Sequence, residues 1–244
     1  MPLPNLMRSQ QRQRGAVLLL LIMALSVGAA SLALKTLNAP KRQVEQERRT
    51  LVALAEAREA LLGFASTHGR LPRPATSTTN GNESKDECKT EASCTGYLPW
   101  VTLGIHGYDG WGKLLHYSVT ASLATYPVGP TDNVADKVIY GRDAQGNKLI
   151  VAGLAKCSLD TQCVPLVVFS SGRNNFGVTE TGIAQPNLST ANVDEGYNDT
   201  AVNGFVTRPM TDDINAPGGD FDDMVSWIPI KTLFRRMYSA GVLR

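Results

Sequence analysis

The densest chemical signal in the sequence is acidic. Between residues 194 and 223 stand eight carboxylates, Asp194, Glu195, Asp199, Asp212, Asp213, Asp220, Asp222 and Asp223, against one base, Arg208. Carboxylates crowded on a glycine-bearing loop suit a hard divalent cation, since calcium takes about six to eight oxygens from carboxylates, carbonyls and water. A solvated acidic loop, with Asp223 capping a turn, uses the same residues without an ion. Spacing alone leaves both readings open.

The four cysteines carry the second signal. They form two pairs of equal spacing, Cys88-x5-Cys94 and Cys157-x5-Cys163. Neither pair has the tight spacing of a zinc knuckle, and His68, His106 and His116 show no ligand spacing around them. In an oxidising compartment each pair closes as a local loop, contributing about 2–3 kcal/mol by restricting the unfolded chain. Other pairings, or four reduced cysteines on loops, are not excluded by spacing. Catalysis finds little: Ser170-Ser171-Gly172 lacks the flanking glycines of a nucleophile elbow. Gly141, Gly146 and Gly153 are spaced as turns rather than as a phosphate cradle. The expectation is a protein that is not an enzyme.

The elements that must position these residues begin with an uncharged run. Ala16 to Leu34 is 19 residues without a charge, which as a helix spans roughly 28 Å, enough to cross a bilayer core. Arg8, Arg12 and Arg14 precede it with no acid before residue 35, which leaves 21 bases against 22 acids in the remainder and a net charge of +2 overall. That polarity fits insertion with a cytoplasmic N-terminus and gives no case for nucleic acid. The same segment also reads as a removable secretory signal, because Gly28-Ala29-Ala30 offers the small residues a signal peptidase accepts.

Helix formers continue after Pro40, which should kink the helix. Leu51, Leu54, Ala55, Leu61, Leu62 and Ala65 recur at helical spacing as one apolar stripe, interrupted by Arg58. The helix should end near His68-Gly69, and residues 69–100 read as loop. Strands are expected at Leu114–Thr120, Val138–Tyr140, Leu149–Leu154, Val164–Ser170 and Met224–Ile228, with a short one at Phe205–Thr207. Residues 174–220 read mostly as polar loop. Pro229 should open a terminal helix that buries Leu233, Phe234 and Met237. The expected fold class is α+β: a long N-terminal helix, transmembrane and then amphipathic, packed on a small antiparallel sheet.

Several of these residues together resemble the type IV pilin and type II secretion pseudopilin family. Arg12-Gln13-Arg14-Gly15 before the apolar run is similar to a prepilin cleavage site, with the cut between Gly15 and Ala16 and methylation of the new N-terminus. Asp109-Gly110-Trp111-Gly112-Lys113 followed by Tyr117 resembles a Trp-Gly segment of major pseudopilins. Phe169-Ser170-Ser171-Gly172-Arg173-Asn174 is similar to their Ser-x-Gly-x-Asp turn. Asp223-Met224-Val225-Ser226-Trp227 matches their closing Asp-Ile-x-x-Trp in spacing. The landmarks occur in the family's order and cover about half the chain.

The resemblance implies a pilin-like fold divided as leader 1–15, transmembrane helix 16–34, stalk 35–68 and periplasmic head 69–244. It implies an inner-membrane assembly subunit whose partners are other pilin-like subunits, a prepilin peptidase and an assembly platform. Leu20 stands where most pilins carry a glutamate, which points to a minor or tip subunit. It implies calcium near the last loop, with Asp223 on the matching position and Asp220 and Asp222 as neighbouring candidates. The other class of function is a single-pass tethered periplasmic binding module that joins no fibre.

Overall fold

A computed structural model describes residues 10–125, 128, 134–159, 162–201 and 203–243; side chains of 10–16 and 28–39 are outside that description. The leader positions 1–9 fall outside it, and Gly15 and Ala16 are described only as helical backbone. The chain divides into two compact units, Met1–Glu45 and Gln46–Arg244. The first helix, α1, runs Gln10–His68 with Pro40 inside it.

Two sheets form in the larger unit. Strands β1 (Thr95–Tyr97), β2 (His116–Val119), β5 (Leu166–Ser170) and β7 (Met224–Trp227) make an antiparallel sheet in the order β1-β2-β5-β7. Strands β3 (Val138–Arg142), β4 (Lys148–Ala152) and β6 (Gly204–Val206) make a second, mixed sheet, in which β3 pairs antiparallel with β4 and parallel with β6. Helices α2 (Trp100–Leu103), α3 (Val193–Thr200) and α4 (Ile230–Ser239) complete the fold.

All five residues of β5 are buried, because both faces of this strand are covered. Leu166 and Val168 point into a core shared with Leu54, Ala57, Leu61 and Ala65 of α1 and Leu233 and Met237 of α4. Val167 and Phe169 point the other way, onto Ile139 and Phe205 of the second sheet. The period-2 alternation of a strand thus sorts one run, Leu-Val-Val-Phe-Ser, into two cores. A strand covered on both faces reads as continuous apolar sequence for this reason. Each fully buried Leu or Val contributes about 1.5–3 kcal/mol of transfer free energy. Truncating Leu61 to alanine would cost about 2–5 kcal/mol.

The buried face of α1 is set by Leu54, Ala57, Leu61, Leu62, Phe64 and Ala65, while Leu51 and Ala55 are exposed. Trp100 is buried, whereas Trp111 and Trp227 are half-buried. Both cysteine pairs are closed as local disulfides, Cys88–Cys94 and Cys157–Cys163, with Cα–Cα distances of 5.0 and 5.5 Å. Glu91, inside the first loop, accepts from the fully buried Lys137 ammonium, which also lies 3.3 Å from Asp136. That ion pair ties the loop to the start of β3.

The expected fold class needs correction. Among the described residues no helix is long and apolar enough to cross a membrane. The single antiparallel sheet is also replaced by two, one with a parallel pair. The pilin-like description, with a transmembrane helix and a single-pass inner-membrane location, does not hold.

His116 gives a pH test of the packing. Its ring stacks on Phe169 at 4.6 Å and tilts against Tyr97 at 5.4 Å, and its buried Nε2 has no hydrogen-bond partner. Burial, reinforced by the Lys113 charge, pushes its pKa down to about 4. The unfolded chain then takes up the proton first, so this contribution is complete above the unfolded value, about 6.5, and is lost as pH falls toward 4. The loss by pH 4.5 is roughly 2–3 kcal/mol. His116→Phe keeps the ring stack, and its urea-unfolding free energy should fall less between pH 7.0 and 4.5 than wild type by about that amount.

Gly110 gives a steric test. Its N–H donates to Thr50 Oγ1 at 2.9 Å, and an added Cβ would fall 2.0 Å from the Gln46 carbonyl oxygen on α1. The obstacle is helix backbone, which cannot swing aside as a side chain does. Gly110→Ala should destabilise by about 1–3 kcal/mol. At roughly 2–4 °C per kcal/mol the melting temperature should fall by about 5 °C, as read by calorimetry.

Candidate metal centre

Three segments converge at the late acidic region: the turn that follows β5, helix α3, and the approach to β7. Helix α3 has little apolar surface, and its buried residues are Asp194, Glu195 and Asn198. Two acids in its first turn face the positive end of the helix dipole. Asp194 is also compensated by cations. It receives a two-bond contact from Arg142, at 2.6 and 2.7 Å, and a third bond from Arg208 Nε at 2.8 Å. These guanidinium forks hold α3 against β3 and the segment after β6.

Glu195 has no such partner. Its Oε1 accepts from the Asp222 amide at 2.7 Å, and its Oε2 accepts from Asn192 Nδ2 at 2.7 Å and Asn175 Nδ2 at 3.1 Å. Asp223 Oδ2 accepts from Asn198 Nδ2 at 2.8 Å. Asp222 Oδ2 accepts from the Asn174 amide at 3.0 Å, whereas Asp222 Oδ1 is buried with no hydrogen-bond partner among the described residues. Glu195, Asp222 and Asp223 each offer a carboxylate oxygen within 4.8 Å of the other two, and all three residues are buried. Oxygens within 4.8 Å of one another can share one calcium shell, whose Ca–O distances are about 2.3–2.6 Å.

The backbone makes room for this group. Gly172 has φ +60°, and a Cβ there would lie 2.0 Å from Asp222 Oδ1. Only glycine lets the turn adopt this conformation and leave that oxygen its space. Lys113 is the nearest built-in cation. It is 4 % exposed, and its ammonium donates to the carbonyls of Ser171, Asn174 and Asn175 at 3.3, 2.7 and 2.9 Å. Burial lowers its pKa, and the opposing pull comes from Asp222, Asp109, Asp223 and Glu195. One ammonium thus serves several buried carboxylates.

The surplus of negative charge shows in the carboxyl groups. Burial first, and then the Glu195 charge, push Asp222 up to about 6. Burial also raises Asp223 well above the usual carboxylate range, against the hydrogen bond from Asn198. Asp109 is raised by burial although its Oδ2 accepts from Ser170 Oγ at 2.6 Å. The Ser170 hydroxyl donates to Asp109 and accepts from the Gly172 amide, and among the described residues it bonds no histidine.

Among the sequence candidates, the structure brings Asp222 and Asp223 together and leaves Asp220 apart, where its Oδ1 accepts from Ser189 Oγ at 2.7 Å. Glu195 takes the third place. It was passed over because its segment has no apolar periodicity, although Asp194-Glu195 at the start of an eight-residue helix is the kind of first-turn acidity that marks a helix N-terminus. Asp212 pairs with Arg173 at 2.7 Å and Asp213 caps its own turn. Those two belong to the solvated part of the loop.

The family landmarks have local explanations. Asp109 Oδ1 accepts from the Trp111 and Lys113 amides, both at 2.8 Å, an Asx-type turn open to any chain. Gly172 serves Asp222, and Asp223 serves Asn198. Short turn motifs of this kind converge without common descent. The pilin-like assembly role, its alternative as a membrane-tethered module, and the pilin subunits, prepilin peptidase and assembly platform expected as partners are therefore set aside. No protein-family model, no curated protein and no solved structure matches the chain.

Proposed function

We propose that this chain is a calcium-stabilised α+β domain with a binding or structural role rather than a catalytic one. Glu195, Asp222 and Asp223 would hold the ion, and water would complete its shell. The supporting observation is Asp222 Oδ1, a carboxylate oxygen sealed from water without a donor beside two further buried carboxylates. Leaving such an atom unmatched costs about 1–3 kcal/mol or more, and a hard cation offsets that cost with no change of fold. The bound ion would join α3 to the strand entry at β7, and Asp222 already holds the turn after β5 through the Asn174 amide. The two disulfide loops fit the same role, adding covalent closure in an oxidising environment.

The test is thermal unfolding at pH 7.5 in chelator and in calcium. A calcium concentration about a hundredfold above Kd adds about 2.7 kcal/mol, so the melting temperature should rise by roughly 5–10 °C. Asp222→Asn should abolish the rise and, in chelator, leave the protein at least as stable as wild type, because a like charge has been removed. Asp220→Asn should keep the full rise. A melting temperature that ignores saturating calcium would end the reading.

A further inference from the structure

A second site lies beside β7, on the side away from β5. It is a cavity of about 390 Å³ between α1 and the strand, walled by Leu51 and Leu54 of α1, Met210 from the loop after β6, and Met224 and Val225 of β7, with Arg58 in its lining. That volume falls within the range of small-ligand sites, about 300–1,000 Å³. Arg58 is the charge that interrupts the apolar stripe of α1, and its Nε is buried without a hydrogen-bond partner among the described residues. The other ionic groups in the lining are committed: Arg208 to Asp194 and Gly219, and Asp223 to Asn198.

The strand wall adds a second kind of recognition. β7 stands at the end of its sheet and pairs with β5 alone. In an antiparallel pair, alternate residues turn their N–H and C=O away from the partner strand. Among the described residues no other backbone bond reaches Met224–Trp227. The cavity therefore combines the outward backbone donors and acceptors of alternate β7 residues, an apolar hollow, and a guanidinium whose Nε donor is unmet among the described residues.

We propose that this cleft binds the extended C-terminal segment of another polypeptide. The segment adds as a strand along β7, places an apolar side chain between Leu54 and Met210, and delivers its terminal carboxylate to Arg58. Strand addition gives affinity through main-chain bonds and specificity through the pocket. The guanidinium fork matches a carboxylate in shape and charge. An apolar amphiphile such as a fatty acid would satisfy Arg58 but leave the strand edge unused, which is why a peptide is favoured. This inference goes beyond the cation site, with which the cleft shares Asp223 in its lining.

The test uses the full chain, in calcium throughout, and fluorescence anisotropy of labelled tetrapeptides of sequence Thr-Val-Thr-Leu. The free-acid peptide should bind at least about tenfold tighter than its C-terminal amide. Arg58→Gln should erase that preference, and Arg58→Lys should restore part of it. Methylating alternate peptide nitrogens should weaken binding in one register and not in the other. Met210→Trp fills the hollow from an exposed loop and should weaken every peptide, with an unchanged melting temperature confirming the fold. Equal binding of acid and amide, no binding at millimolar peptide, or Arg58-dependent uptake of dodecanoate with none of the peptide would each overturn the proposal.

Discussion

The larger unit is organised around a problem of charge: carboxylates shut away from water where the central strand ends. Asp109, Glu195, Asp222 and Asp223 surround one ammonium, Lys113, and that ammonium is shared among three carbonyls of the turn it stabilises. Burying a charge is costly unless a partner or donors replace its hydration. The protein meets this cost unevenly. Asp194 has two arginines, Glu195 has amides, and Asp222 keeps an oxygen with nothing. An ion is the natural completion of a set built in this way.

The same arithmetic of buried charge recurs at the other end of β3. Lys137 is fully buried and answered by Glu91 and Asp136, and Glu91 arrives on the disulfide loop closed by Cys88 and Cys94. Covalent closure fixes the loop, the loop positions the acid, and the acid permits the lysine. Cys88 and Cys94 are themselves part of the principal core. The bridge therefore links packing and electrostatics rather than stapling a surface loop.

Much of the scaffold was legible from residue order alone. Val164–Ser170 reads as a strand because Leu166 to Phe169 are all apolar, and the structure places β5 at Leu166–Ser170, just after Pro165. Pro229 with Leu233 and Met237 reads as a helix with a buried face, and α4 runs Ile230–Ser239. The failures share a cause. Helix α3 was hidden because the residues it buries are Asp194, Glu195 and Asn198, held by Arg142, Arg208 and the Val206 backbone. Hydrophobic periodicity carries no signal for a face satisfied by salt bridges. Glu195 was missed for the same reason, while Asp220 looked equivalent to Asp222 until the turn at Gly172 separated them. The landmarks that suggested a family were turns of a few residues, whose geometry is dictated locally.

The brevity of β7 has a consequence for how the protein behaves in company. An uncovered strand edge is normally a liability, since two copies can stitch their sheets together. This one has only four residues and is bracketed by Asp222-Asp223 on one side and Pro229 on the other. A ladder along it can run for only these few residues before the proline, which has no N–H to donate, ends it.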